Sequence, residues 1–237
     1  MQERKTETET EKETIVISLG GSIVVPDLPN PEFIKAFKKI ILKFVEKGKK
    51  FVIIVGGGKT CRRYNEALSQ ATEAINDDLD WLGIYTTRLN AELVRLSFGE
   101  YAYKEIITDP SDVLEFEGDI IIGAGWKPGH STDAVGILIA KELNTKKVIN
   151  ISNIDYVYDS DPKINPNAKK FKNISWAEYH SFVSSIWKPG MNTPFDPIAS
   201  EKAEKFGMEV AFMSGHDLES LENYLNGKPF VGTMIKD

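Results

Sequence analysis

From Thr14 onward, short apolar runs alternate with longer stretches in which apolar residues recur every three or four positions. Ile15-Val16-Ile17, Phe51 to Val55, Ile120 to Ile122 and Val148-Ile149-Asn150-Ile151 read as strands buried on both faces, because they lack polar alternation. Phe33, Ile34, Phe37, Ile40, Ile41, Phe44 and Val45 share one face of a helix, with Asn30 as its cap, Pro31 in its first turn and Gly48 at its end. A second helix runs from Ala134 to about Leu143, capped by Ser131 or Thr132, and its scarcity of polar residues predicts burial. Ile198, Ala199, Ala203 and Phe206 mark another helix face, begun by Asp196-Pro197 and ended at Gly207. Trp81, Leu82, Ile84, Leu89, Leu93 and Leu96 form a further helical stripe that serves either the core or a subunit seam. Strand, helix, strand with crossovers of this length predicts an α/β fold whose largely parallel sheet is covered on both faces. The stretch 152–170, rich in Asn, Asp, Ser and Pro, is too long for a simple connection, and such loops are usually functional.

Composition narrows the class. With 237 residues, 41% of them hydrophobic, the chain can bury a core without staples. Residues 1–13 are charged and predict a disordered tail ahead of one domain, 14–237; they contain no apolar h-region, so no secretory signal is expected. The one cysteine, Cys61, cannot close an intrachain disulfide or build a Cys-based zinc site, and reads as a small buried apolar residue. No apolar run approaches the roughly 18 residues of a membrane span. A net charge of −6 argues against nucleic acid as a partner but not against small anions, which respond to local charge. His180 and His216 lack metal-ligand spacing, and no metal site is expected from the chain itself. These features together predict a cytoplasmic protein.

Three glycine-rich turns follow three of the apolar strands, where parallel sheets bind ligands. Ser18-Leu19-Gly20-Gly21-Ser22 is neither a GxxxxGK(S/T) loop nor a GxGxxG turn, and alone it is a weak signal. Gly56-Gly57-Gly58-Lys59 lets a ligand reach the backbone, and Lys59 and Arg62 add positive charge at the start of the next helix. Gly123 to Asp133 gathers Lys127, His130, Ser131 and Thr132 at a helix N-terminus, a good receptor for a phosphate dianion. Three such turns in one α/β chain suggest two phosphate-bearing ligands meeting over the sheet, as phosphoryl transfer requires.

On these residues the chain resembles the amino acid kinase family and, within it, the archaeal-type UMP kinases. The matching pieces are IVISLGGSIVVP, FVIIVGGGKTCRRY, LDWLGIYTTRLNAELV, GWKPGHSTDAVG, INISNIDYVYDSDPKINPNAKK, FDPIASEKAEKFGMEVAFMSG and the terminal VGTMI, nearly everything from 14 to 235. The resemblance implies a three-layer αβα sandwich around a mainly parallel eight-stranded sheet, with an N-terminal acceptor half and a C-terminal nucleotide half. It implies transfer from ATP to UMP with Mg2+, in pyrimidine nucleotide synthesis, by a homo-oligomer that is typically hexameric. It assigns Gly21, Ser22, Gly58 and Arg62 to the ATP phosphates, and Ser152, Asn153, Tyr158 and Asp161 to the adenine nucleotide. Gly57, Asp80 (at the ribose) and the segment Trp126, Lys127, Pro128, Gly129, His130, Ser131 and Thr132 would hold UMP. Arg62, Lys59 and Asp133 are the catalytic candidates, Asp133 as a residue that positions cations rather than as a base, since the attacking phosphate oxygen is already ionised.

The chain departs from the pattern in places. Ser18 stands where many relatives carry a strand-one lysine, which the archaeal type also lacks, and Lys59, Arg62 and Lys127 are then the candidates to cover the transferring group. Tyr156 replaces a glycine; it and Tyr158 either pack on a purine or, as is commoner for aromatic residues in loops, simply pack within the fold. Trp126-Lys127 stands where archaeal relatives often have Thr-His, which bears on acceptor choice, and Trp187-Lys188-Pro189-Gly190 echoes it. The competing readings are a relative acting on isopentenyl phosphate or acetylglutamate, and an oxyanion (molybdate or tungstate) storage protein. Val55 and Ser18 argue against the isopentenyl phosphate type, which has histidine and lysine there, and three histidines are few for storage ligands.

Overall fold

The computed structural model describes residues 12–162, 164–183 and 194–237. In chain order the elements are β1 (Thr14–Leu19), α1 (Gly21–Val24), α2 (Pro31–Val45), β2 (Lys50–Val55), α3 (Gly58–Ala71), α4 (Asn76–Phe98), β3 (Ile120–Gly123), α5 (Thr132–Glu142) and β4 (Lys147–Ser152). They continue with β5 (Val157–Tyr158), β6 (Lys170–Phe171), β7 (Asn173–Ile174), α6 (Trp176–Phe182), α7 (Pro197–Lys205), β8 (Glu209–Ser214), α8 (Leu218–Leu225) and β9 (Thr233–Ile235).

The central sheet has seven strands in the order β3-β2-β1-β4-β8-β9-β7, parallel except for the β8–β9 pair. The sheet has seven strands where eight are expected, and a separate antiparallel ribbon, β5–β6, forms at the long loop. Pro162 and Pro166 lie between its strands and cannot donate to a ladder, in keeping with a pairing of only two residues on each strand, Val157 with Phe171 and Tyr158 with Lys170.

Alternation along the strands sorts the core into two layers. Ile15, Ile17, Leu19, Ile53, Val55 and Ile149 face α2, α4 and α8, while Val16, Val52, Ile54, Val148 and Val210 face α5 and α7. Helices on both faces of a mainly parallel sheet make the αβα sandwich. Its helix ends follow local chemistry: Asn30 accepts from the Phe33 amide, Ser131 from that of Ala134 and Asp196 from that of Ala199, while Gly48 takes the left-handed conformation after α2.

Order starts earlier than the charge pattern predicts. Lys12 donates to both carboxylate oxygens of Asp119 at 2.8 and 2.9 Å, and the Glu13 carbonyl accepts from Lys50 N–H at 2.9 Å. The rest of the charged tail, and the Trp187 to Gly190 echo, lie outside the described residues. Among the described residues, no helix is long and apolar enough to cross a membrane.

Candidate active site

Strands β1 to β4 run parallel, so the turns that follow them gather at one edge of the sheet. The first two glycine turns touch backbone to backbone. The Gly56 amide donates to the Leu19 carbonyl at 2.9 Å. A Cβ on Gly21 would lie 2.2 Å from the Gly56 oxygen and 2.4 Å from the Gly58 nitrogen, so no side chain fits there. Gly58 has φ +63°, the left-handed region open to glycine. The Gly20 amide reaches the Ile151 carbonyl at 2.8 Å, which sets Ser152 beside the first turn. Arg62, on the first turns of α3, donates Nη2–H to Ser22 Oγ at 3.3 Å, and exposed Lys59 stands three residues before it. Gly21, Ser22, Gly57, Gly58, Lys59, Arg62 and Ser152 therefore meet at one place, rich in amides and cations. Such a place receives phosphate.

The third turn lies alongside, and α4 fastens it to the second. Buried Asn90 donates through Nδ2 to the carbonyls of Gly56 (2.9 Å) and Gly57 (3.2 Å). One helical turn earlier, Thr87 Oγ1 accepts the Gly125 amide at 2.8 Å while donating to the Ile84 carbonyl at 2.7 Å. Near the start of α4, Asp80 Oδ2 accepts the Gly129 amide at 2.8 Å. Burial pushes the Asp80 carboxyl up and Asp77 adds to the rise, while the Gly129 amide and His130 pull it back. Neither Asn90 nor Thr87 follows from the apolar stripe. Their signal was the polar run Thr86-Thr87-Arg88 with Asn90 in the middle of a helix, unusual unless those groups hold something.

The segment from Trp126 to Thr132 is held as a unit. Trp126 Nε1 donates to Asp109 at 2.9 Å, Arg88 Nη2 donates to the Trp126 carbonyl at 3.3 Å, and the His130 ring meets that of Trp126 edge-on at 4.8 Å. Lys127 Nζ lies 3.7 Å from the Trp126 ring centroid. Burial works against the Asp109 carboxylate, but the bonds from Ser111 and Trp126 and the charge of Lys127 hold it below its ordinary range. Pro128 offers its carbonyl to the His130 ring at 3.3 Å, Ser131 caps α5, and Thr132 opens it.

Asp133, in the first turn of α5, turns into the fold. Its Oδ1 accepts the Ser18 hydroxyl at 2.6 Å and the Asn150 amide at 2.9 Å. Burial raises it to about 6, aided by the negative charge of Asp196 and opposed by the Ser18, Asp196 and Asn150 donors. The partners placed on Asp133 are neutral donors rather than cations. Asp196 is also raised, by burial first, with the Ala199 amide and Ser131 hydroxyl opposing. That Asn150 and Asp196 surround Asp133 became visible only through these contacts.

In the long loop, Tyr158 donates to Asp155 at 3.1 Å, the Asp161 carbonyl accepts from Asn165 N–H at 2.8 Å, and Asn153 is exposed. Tyr156 is buried, with the Lys170 ammonium 4.7 Å from its ring centroid, so it packs inside the loop rather than offering a face to a purine. Cys61 is half-buried against Gly57 and Gly83, and burial pushes its thiol up, as suits a small packing residue. His180 contacts Ser200 at 3.1 Å and Glu204 at 3.3 Å, away from the glycine turns. Among the described residues, no three His, Cys, Asp or Glu side chains come together as a metal site.

Residues 13–214 match the amino acid kinase family profile. The chain is 36% identical over 225 residues to a uridylate kinase of Methanospirillum hungatei, covering 94% of each chain. It is 37% identical over 228 residues to a uridylate kinase of Pyrococcus abyssi, covering 94% of this chain and 99% of that one. The crystal structure of uridylate kinase from Archaeoglobus fulgidus superimposes with a TM-score of 0.81 at 30% identity, covering 95% of this chain and all of that one. The UMP kinase of Bacillus anthracis shares the fold, with a TM-score of 0.77 at 19% identity and coverage of 96% and 97%.

Proposed function

The chain belongs to the amino acid kinase family, and from that premise we propose that it transfers the γ-phosphoryl group of ATP to UMP, giving UDP and ADP. One observation carries the reading: two anion-receiving places, the paired turns Gly20–Ser22 and Gly56–Lys59 and the segment Trp126–Thr132, open side by side, with the second and third turns fastened to one helix through Asn90, Thr87 and Asp80. Gly21, Ser22, Gly58 and Arg62 take the ATP phosphates, with Ser152, Asn153, Tyr158 and Asp161 toward the adenine nucleotide. Gly57, Asp80 and Trp126 to Thr132 take UMP.

The chemistry asks little of a base, because the attacking UMP phosphate oxygen is already ionised near pH 7. What remains is alignment and neutralisation of charge on the transferring group. Arg62 and Lys59 supply fixed charge from the donor-side turn, and Lys127 supplies it from the acceptor side. Asp133 contributes by fixing the start of α5. ATP enters as its magnesium complex. A hard cation that keeps its waters and binds through phosphates needs no protein cage, in keeping with a site built of amides, hydroxyls and cations.

The assembly is a homo-oligomer, hexameric by likeness to the family. Trp81, Tyr85, Leu89 and Leu96 line the outer side of α4 at 41, 61, 67 and 61% exposure, and form the seam. The setting is the cytoplasm, and the role is supply of UDP for pyrimidine nucleotide synthesis.

A coupled ADP-release assay with ATP and Mg2+ tests the reading, with UMP, CMP, isopentenyl phosphate and acetylglutamate offered separately. Turnover of UMP is expected. Turnover only of another acceptor, or tight ATP binding with no turnover at all, would replace it.

A further inference from the structure

We propose that Asn150 is a positioning residue for phosphoryl transfer, holding Asp133 so that the acceptor-side helix α5 stays locked to the ends of β1 and β4. The inference rests on the kinase reading above.

On the sheet face turned to α5, Ser18 and Asn150 are direct register partners on neighbouring parallel strands. Their outer neighbours in the same row are apolar and buried, Ile54 on β2 and Phe212 on β8. A lone polar pair thus sits in an apolar layer, and both members donate to the same oxygen of Asp133. The pair is not balanced, however. Asn150 is 4% exposed, and its Oδ1 has no partner among the described residues. A leucine would fill much the same space without stranding a buried acceptor, which is costly to folding. Departures from such rules concentrate where function requires them.

The location supplies the function. Ser18 immediately precedes Leu19, whose carbonyl holds the second glycine turn, and Asn150 immediately precedes Ile151, whose carbonyl holds the first. Asp133 comes directly after the Trp126–Thr132 segment that faces the acceptor. The Asn150–Asp133 bond is therefore a joint between the turns that receive the donor phosphates and the segment that receives UMP. A joint loosened by a fraction of an ångström leaves each ligand's own contacts in place but spoils their alignment, where about 1 Å of misplacement costs on the order of 100-fold in rate.

The test uses the full chain and Asn150→Leu, with Asn150→Thr as a second variant that keeps a hydroxyl donor. Steady-state kinetics, calorimetric binding of UMP and of ATP, and Tm are measured on each. For the leucine variant, kcat falls at least about 30-fold, while both KM and both Kd stay within about threefold and Tm is equal to or above wild type. The threonine variant recovers part of kcat. Because the Asn150 amide lowers the Asp133 carboxyl, its loss also moves the acid limb of the kcat–pH profile to higher pH; Asp196 and Tyr179, the other titratable groups facing Asp133, are unaltered. Wild-type kcat with an unmoved acid limb overturns the proposal, and so does a kcat loss matched by lost Tm or lost ligand binding. If Asn150→Leu does not fold, the same readings on Asn150→Thr decide, with kcat below wild type at unchanged Kd expected. Wild-type protein that fails to phosphorylate UMP would overturn both readings, whereas an active wild type with insensitive variants overturns only this one.

Discussion

The Gly129 backbone amide donates to Asp80 Oδ2 at 2.8 Å, so the loop after β3 is tied to the first turns of α4. Replacing Asp80 with alanine frees that loop. One hydrogen bond to a charged acceptor corresponds to roughly 1.5 kcal/mol, so KM for UMP should rise about tenfold. KM for ATP should change less than about twofold, because the donor turns are held by Asn90 instead. Steady-state kinetics with each substrate varied separately checks this, and an unchanged KM for UMP would remove Asp80 from the acceptor side.

Arg62 is exposed and, among the described residues, makes one long hydrogen bond, to Ser22. Its removal should therefore cost the fold little. Arg62→Ala is expected to lower kcat by about 100- to 1000-fold, the usual loss for a group that stabilises charge developing in the transition state. Tm should stay within about 2 °C of wild type. A variant with wild-type kcat takes Arg62 off the catalytic list.

Asp133 is held at about 6, above its ordinary value of 3.8. The native state thus binds the proton more tightly than the unfolded chain does. The stability this lends is complete below about pH 3.8 and is lost as pH rises through about 6. At pH 8 wild type carries a buried charge that Asp133→Asn avoids, while the amide oxygen can still accept from Ser18 and Asn150. The asparagine variant should be more stable than wild type at pH 8 by up to about 3 kcal/mol, with the gain fading toward pH 4. Its kcat should fall. Urea denaturation at both pH values decides; a variant less stable at pH 8 than wild type contradicts the account.

Gly21→Ala would thrust a methyl group to 2.2 Å from the Gly56 carbonyl oxygen. Backbone atoms cannot swing aside as a side-chain end can, so the two turns must separate. The loss of stability should be about 1–3 kcal/mol, as for overpacked cores. Activity should fall more than the lost stability accounts for, measured as kcat at a temperature where the variant is fully folded. Full activity would show that the turns tolerate separation.

Leu89 is 67% exposed on the outer side of α4. If that side is the subunit seam, Leu89→Asp should shift the molar mass seen by light scattering toward smaller species. An assembly of unchanged mass would place the seam elsewhere.

Much of the architecture was legible from periodicity alone. Strands β1 to β4, helices α2, α5 and α7, and the caps at Asn30, Ser131 and Asp196 follow from patterns spanning a few residues. The glycine turns were legible as strand-end turns open to a ligand, but the backbone-to-backbone packing of the first two, at Gly21 and Gly58, was not. The ties among them were not. Asn90 to Gly56 spans α3, Asn150 to Asp133 crosses from strand to helix, and no local pattern encodes such pairings. Tyr156 takes the plainer of its two readings. An aromatic residue in a loop looks available to a ligand, but here Lys170 and the ribbon cover it.

Helix α4 grips the second glycine turn through Asn90 and the third through Thr87 and Asp80. A rigid rod that carries both moves them together. A slide of α4 along its axis is then common-mode, displacing the second and third turns in the same direction and largely preserving the gap between them. Thermal breathing of the sandwich can thus be sizeable while the distance across which the phosphoryl group must pass varies little.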